Sequence, residues 1–326
     1  MQRSCKRGLC IFYLTFPGLS GILCKIPNDE SEKPQCIYFK IQPVCGRLSK
    51  DRMGDDISLQ TNRHQHRRLS ETEIIQTGKH MEKNYKLIIG YDGTRYFGWE
   101  HQPGKDTIQG KLEDVLNHLA EEPVLIIGAG RTDAGVHAMG QVANFKLQSA
   151  YEPEEIKRYC NQYLPEDIVV LEVSEVPLRF HSRLNAVKKT YCYRIFLGEK
   201  PDVFRRKYVT PVAENLNINK MKAAAEVLLG THDFTSFCGN RHFKKSAVRT
   251  IYEIRIEEKK DELDISFTGN GFLQNMVRIL TGTLLEVGTG KRKVREMKEI
   301  LEGRNRSLAG PMAAAKGLVL INVEYE

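Results

Sequence analysis

Hydrophobic positions change their spacing several times along the chain, and each change marks an element. "YKLIIGYDG" (85–93) is a run of β-formers that stops at Asp92-Gly93, a turn pair, so a strand is predicted to end there. In "DTIQGKLEDVLNHLAEE" the apolar positions Ile108, Leu112, Val115, Leu116 and Leu119 share one helical face. Asp106 as N-cap with Gln109 three residues on predicts a capping box, and Pro123 limits the far end. "VLII" (124–127) reads as a short buried strand that delivers the chain into a glycine-rich stretch. "QVANFKL" (141–147) leaves that stretch as a second strand, with Ala143, Phe145 and Leu147 alternating to one side. A helix over about 153–164 presents Ile156, Tyr159, Cys160, Tyr163 and Leu164 on one face, and "IVVLEV" follows as a strand. The resulting order, β-α-β-β-α-β, is that of a ferredoxin-like unit.

The theme then repeats. "KTYCYRIFL" (189–197) is a strand, and Met221, Ala224, Ala225, Leu228 and Leu229 stripe a helix. "TIYEIRIEEKKDELDISFTG" (250–269) reads as two strands around a charged hairpin. A long helix with Phe272, Met276, Ile279, Leu280, Leu284 and Val287 inward, a short helix near 293–302 and a closing strand, "LVLINVEY", complete the chain. The expected fold is therefore α/β (α+β): two ferredoxin-like halves with mainly antiparallel sheets, flanking a central cleft of the kind that favours sites. The expected divisions are an extension over 1–80, a first α/β domain over 81–180 and a second over 181–326.

Composition alters this picture mainly at the N-terminus. The 326 residues are 41% hydrophobic and 28% charged, ordinary material for a packed chain, and the formal charge is +8. Residues 1–80 hold 13 Lys/Arg against 8 Asp/Glu, which leaves 36 against 33 in 81–326, a balance of only +3. A nucleic-acid partner would thus need a local basic patch rather than net charge. Five of the eight cysteines (Cys5, Cys10, Cys24, Cys36, Cys45) lie in the leading segment, and no C-x-x-C pair occurs. Zinc and a disulfide framework both lack support, and a reducing compartment fits. The apolar stretch "LCIFYLTF" follows Arg3, Lys6 and Arg7, but Pro17 interrupts it and no cleavage motif follows, so a secretory signal is disfavoured. It is also short of the roughly 20 apolar residues that span a bilayer. From Asn28 to His80 the chain is polar and aperiodic, as in a linker or disordered segment. Two explanations stay open: an upstream extension with translation truly starting at Met81, or an organelle-targeting peptide.

The candidate chemistry sits in "GAGRTDAGVHAMGQ" (128–141). A dinucleotide fingerprint would need a third glycine where Asp133 stands, and a helix rather than a strand afterwards; a phosphate-binding P-loop would need Gly-Lys-Ser/Thr. Both fail. From spacing alone, Asp133 is most simply a turn-capping aspartate, His137 a satisfied core imidazole and Trp99 a packing residue.

A wider set of landmarks changes that weighting. "YDGTRYFGW" (91–99), "TIQGKLE" (107–113), "GRTDAGVHA" (130–138), "GQVANF" (140–145), "FHSRLNA" (180–186), "KTYCYRI" (189–195), "HDFTSF" (232–237), "RTIYEI" (249–254), "FLQNMVRILTGTLLEVG" (272–288) and "AAAKGLVLINVEY" (313–325) resemble the landmarks of the TruA-type tRNA pseudouridine synthases, in that family's order. Coverage runs from about 83 to 326. The resemblance implies the pseudouridine synthase fold and an isomerase that breaks the C1′–N1 bond of uridine, turns the uracil and joins C5 to C1′, with no metal and no cofactor. It implies tRNA as partner, uridines 38 to 40 of the anticodon arm as targets, a homodimer, no membrane association, and a cytoplasmic protein (organellar if 1–80 is a targeting segment).

By resemblance, Asp133 is the essential carboxylate, and at an ordinary aspartate pKa near 3.9 it would be charged at neutral pH without further activation. Arg131, two residues earlier and on the same side of an extended segment, is implied to help extrude the target nucleotide and hold phosphate. Tyr191 is implied to stack on the uracil, and Arg278 to pair with the aspartate and keep it ionised. Arg183, and the run that holds Arg241, Lys244, Lys245 and Arg249, are expected to contact the RNA backbone, where an ordinary solvated surface is the competing reading. One departure stands out: the family continues "GWQ" where this chain has Trp99-Glu100.

Overall fold

The computed structural model describes residues 3–5, 10–12, 82–148, 151–240 and 246–326. The leading pair, β1 (Arg3–Cys5) and β2 (Cys10–Phe12), forms a two-stranded antiparallel sheet, with Ser4 opposite Ile11. Otherwise the expectations for residues 1–80 fall outside the described residues. All other elements belong to one body.

That body begins with β3 (Lys83–Tyr91), α1 (Ile108–Ala120), β4 (Ile127–Gly128), β5 (His137–Leu147), α2 (Pro153–Tyr163) and β6 (Ile168–Val176). It continues with β7 (Ala186–Leu197), β8 (Thr210–Val212), α3 (Ile218–Glu226), β9 (Gly230–Asp233), β10 (Val248–Lys259), β11 (Glu262–Gly269), α4 (Met276–Gly288), α5 (Glu296–Gly303) and β12 (Leu318–Tyr325). The strands form one ten-stranded sheet in the order β6-β3-β5-β12-β7-β11-β10-β9, with β4 on β5 and β8 on β7. Each half is ferredoxin-like: β6-β3-β5-β4 and β12-β7-β11-β10 are the same spatial order built twice. Pairing is antiparallel except for β12 with β5 and β8 with β7. The two sheets are thus fused edge to edge. The far edge of β5 is shared by β4 at Ala143–Asn144 and by β12 at His137–Ala138.

The core follows from the periodicities. Tyr85, Leu87 and Ile89 of β3 share the core with Ile108, Leu112 and Leu116 of α1 and with Ile156 and Cys160 of α2. In the second half, Ile265 and Phe267 of β11 share it with Met221 of α3 and Ile279, Leu280 and Leu284 of α4. The alternation expected in "QVANFKL" is buried on both faces, however: Val142 and Asn144 are covered as well as Ala143, Phe145 and Leu147. The segment around 177–185 covers the second face, where Asn84 donates to the Pro177 and Phe180 carbonyls and Ser182 N–H donates to Asn144 Oδ1 at 2.8 Å.

Several boundaries differ from expectation. Helix α1 is capped by Thr107, whose hydroxyl accepts from Gly110 N–H at 3.2 Å, one residue later than the Asp106 predicted. Gln109 instead reaches Glu113 and the Ile126 carbonyl. "VLII" pairs as a strand only from Ile127, and β8 and β9 lack any apolar run that would have announced them. The capping box lies on α2, where Glu152 and Glu155 satisfy each other's backbone N–H.

Candidate active site

The glycine-rich stretch is a connection between β4 and β5 that is clamped from several sides. Trp99 N–H donates to the Thr132 carbonyl at 3.0 Å, Gln141 Nε2 donates to the Gly130 carbonyl at 2.9 Å, and the Tyr91 and Thr132 hydroxyls share a buried hydrogen bond of 2.8 Å. Asp133 opens a turn closed by Val136 N–H on its own carbonyl at 3.1 Å, and Gly135 takes the left-handed φ of +77° that this turn requires. Gly128 has another reason: a Cβ there would lie 2.5 Å from the Trp99 indole nitrogen. Two of the motif's four glycines therefore act separately, Gly135 bending the chain and Gly128 admitting the buried tryptophan.

These constraints present the Asp133 side chain in a cavity of about 730 Å³ between the two halves, within the size range of small-molecule sites. Arg131, Tyr191, Arg278 and Arg183 line the same cavity. Arg278 Nη1 donates to Asp133 Oδ2 at 3.3 Å, while its Nε is held by the Ala313 carbonyl at 2.8 Å, so the guanidinium is aimed from α4. Tyr191 stands on β7 opposite Phe267 and Leu320 and meets the Phe272 ring edge to face at 5.3 Å. Arg131 is exposed and pairs with Glu100, Nη2 to Oε1 at 2.7 Å and Nε to Oε2. Arg249 sits beside the cavity rather than in its wall, donating to the Ser246 and Val248 carbonyls. Arg241, Lys244 and Lys245 lie outside the described residues.

Two polar residues of the site were not singled out from the sequence. Asn275, the N-cap of α4, has a left-handed φ of 60° and directs its amide at the carboxylate. With its nitrogen facing Asp133 it donates to both oxygens, at 3.3 Å to Oδ1; the opposite orientation would set oxygen against oxygen. The same contact brings the positive end of α4 toward the charge. Lys189 donates from Nζ to the Ala129 carbonyl at 2.8 Å. Its signal was present, since Lys189 and Tyr191 are two apart on one strand and share a face. Asn275 had none, because its role depends on how the start of α4 meets a loop 142 residues away.

Electrostatics refine the expected ionisation of Asp133. Burial pushes its carboxyl above the ordinary value, and the Arg278 charge and hydrogen bond pull it back in part. The Asn275 amide favours the charged form in the same sense as Arg278. Burial, with Tyr91 and Asp133 nearby, raises the Tyr191 phenol far above neutrality, so the ring enters any chemistry protonated. Lys189 is pushed down to about 8 by burial and by the Arg183 and Arg249 charges. Lys189, Arg183 and Arg249 thus gather positive charge at this end of the cavity.

His137 and Trp99 are packing residues as the sequence suggested. His137 is buried, accepts from Gly93 N–H at Nδ1 and reaches the Lys207 carbonyl from Nε2. Trp99 is 1% exposed. Among the described residues there is no cluster of three potential metal ligands and no helix long and apolar enough to cross a membrane.

The family profile described as tRNA pseudouridine synthase matches residues 87–185 and 224–326. "tRNA pseudouridine synthase A" of Bacillus sp. (strain KSM-64) is 48% identical over 243 residues, covering 74% of this chain and 99% of that protein. "tRNA pseudouridine synthase A 2" of Clostridium tetani (strain Massachusetts / E88) is 44% identical over 247 residues, 75% of this chain and all of that one. Among solved structures, the archaeal box H/ACA sRNP Nop10-Cbf5 complex aligns with 14% identity and a TM-score of 0.29. That alignment covers 69% of this chain and 59% of the other, a likeness too loose to bear on the site.

Proposed function

Since the chain belongs to the tRNA pseudouridine synthase family, we propose that it isomerises uridine to pseudouridine in the anticodon arm of tRNA, at positions 38 to 40, with Asp133 as the essential carboxylate. The observation that supports this reading best is the Asp133 carboxylate itself: presented by a clamped loop into a cavity, paired with Arg278 and Asn275, and sharing that cavity with Tyr191.

The reaction breaks C1′–N1, turns the uracil and forms C5–C1′; the proton on C5 leaves and N1 gains one. One ionised carboxylate suffices to supply the electron pair this requires, and Arg278 and Asn275 hold it ready. Extracting a uridine from its stack costs a few kcal/mol, and an aromatic face recovers part of that. Tyr191 takes that place on the cavity wall, its phenol held neutral by burial. Arg131 helps extrude the nucleotide, and Arg183 with Lys189 holds backbone phosphate. Arg249 and the run Arg241, Lys244 and Lys245 extend the contact along the RNA. The protein works in the cytoplasm as a homodimer, which sedimentation at micromolar concentration would show as twice the monomer mass.

The test is to incubate the purified chain with unmodified tRNA transcripts and map products by carbodiimide modification and primer extension. Stops at positions 38 to 40 are expected. Modification elsewhere in the tRNA would overturn the positional assignment. No modification of any tRNA, with tRNA still bound, would instead indicate a silent binding protein on this scaffold.

A further inference from the structure

We propose that Glu100 is a carboxylate latch that holds Arg131 at the cavity wall and must be displaced by RNA phosphate before the target uridine enters. This rests on the reading of Arg131 as a residue that engages the RNA.

The pair is built rather than incidental. Two donors of one guanidinium edge meet the two Glu100 oxygens, Nη2 to Oε1 at 2.7 Å and Nε to Oε2, the fork geometry that also suits phosphate. The backbone that carries Glu100 is anchored to the loop that carries Arg131, because Trp99 beside it is buried and its backbone N–H is hydrogen-bonded to the Thr132 carbonyl. On the other side Gln109 N–H is bonded to the Trp99 carbonyl at 3.0 Å. Both partners line the cavity and both keep water contact, with side chains 42% and 63% exposed for Glu100 and Arg131. An exposed pair is weak enough to exchange and close enough to compete.

The exchange has a defined charge balance. In the free protein Arg131 is neutralised by Glu100; on binding, a phosphate oxygen replaces the carboxylate, and Glu100 returns to solvent. An RNA that fails to bring a phosphate to that point meets a closed pair and a negative charge. Glu100 therefore raises the threshold for every RNA and lowers affinity least for those whose backbone fits. An amide in its place would hydrogen-bond the guanidinium without opposing phosphate.

The experiment compares tRNA affinity and its salt dependence in the Asp133→Ala chain with and without Glu100→Gln, and again with Arg131→Ala added. Glu100→Gln is expected to tighten binding by about two- to five-fold, the range for breaking an exposed pair. It should steepen the log Kd against log salt slope by about one, since one more cation meets RNA unneutralised. With Asp133 intact the same substitution should lower KM more than it changes kcat and spread modification to flanking uridines. Both binding effects should vanish in the Arg131→Ala chain, because the pair no longer exists. Unchanged or weaker binding in Glu100→Gln would overturn the latch, as would equal tightening without Arg131. Failure of the native chain to modify tRNA would overturn the proposed function instead, while the affinity comparison still decides the latch.

Discussion

At Asp133, burial and pairing act against each other. Burial raises the carboxyl pKa above the ordinary value and the Arg278 charge and hydrogen bond offset this in part, while the Asn275 amide acts in the same sense as Arg278. The other facing groups are Tyr191 from β7, which is neutral, and Arg131 from the same loop, which Glu100 occupies. If the proposed role of Asp133 holds, the ionised form reacts and the single-turnover rate should fall as pH drops through this raised value, above the roughly 3.9 of a free aspartate. Removing the Asn275 amide should move that acid limb upward by about one pH unit, the size expected for losing a hydrogen bond to a charge. Asn275→Gly keeps the left-handed φ that Asn275→Ala strains, so both variants should shift the limb if the amide acts on Asp133. A shift in the alanine variant alone would mean that only the backbone matters. Asp133, Tyr191, Arg131, Arg183 and Arg278 could be named from sequence landmarks, since each sits inside a recognisable motif. The raised pKa and the Asn275 contact could not, because both arise where loop and helix meet in space.

Helix α4 shows how an element carries the site. Gly282 lies one turn after Arg278, and a Cβ there would stand 1.8 Å from the Pro311 carbonyl oxygen. The 311–313 segment that presses on it also fixes Arg278, through Ala313 N–H to the Arg278 carbonyl at 3.1 Å and Arg278 Nε to the Ala313 carbonyl. Gly282→Ala would gain about 1 kcal/mol of helix propensity in an isolated helix. Here overpacking should outweigh it, with a net loss of about 1–3 kcal/mol in urea unfolding and a fall in kcat as Arg278 shifts. A stabilised, fully active variant would show that the close approach is relaxed without moving α4. The long amphipathic elements were legible, since β3, β7, β12 and α4 announce themselves by apolar spacing. The N-cap of α1, the two-residue β4 and the strands β8 and β9 were not, because neighbouring chain rather than local pattern defines them.

For the whole molecule, the repeat of one topology was readable in the order of elements, but the fusion of both sheets through β12 was not. Strand pairing across 180 residues leaves no local trace, yet it is what sets Tyr191 of β7 and the loop entering β5 on one wall: β12 pairs Leu320 with Tyr191 on one edge and with Ala138 on the other. With a balance of only +3 over residues 81–326, the proposed RNA contact rests on local cations such as Arg183, Lys189 and Arg249 rather than on net charge. The account stands on the charge at position 133, and one measurement addresses it directly: single-turnover release of tritium from tRNA carrying [5-³H]uridine, by the native chain and by Asp133→Asn, which keeps shape and removes charge. The native chain should release tritium, since C5 must lose its hydrogen to bond C1′, and the asparagine chain should release none while binding tRNA within a few-fold. Tritium release by Asp133→Asn at the native rate would contradict the account.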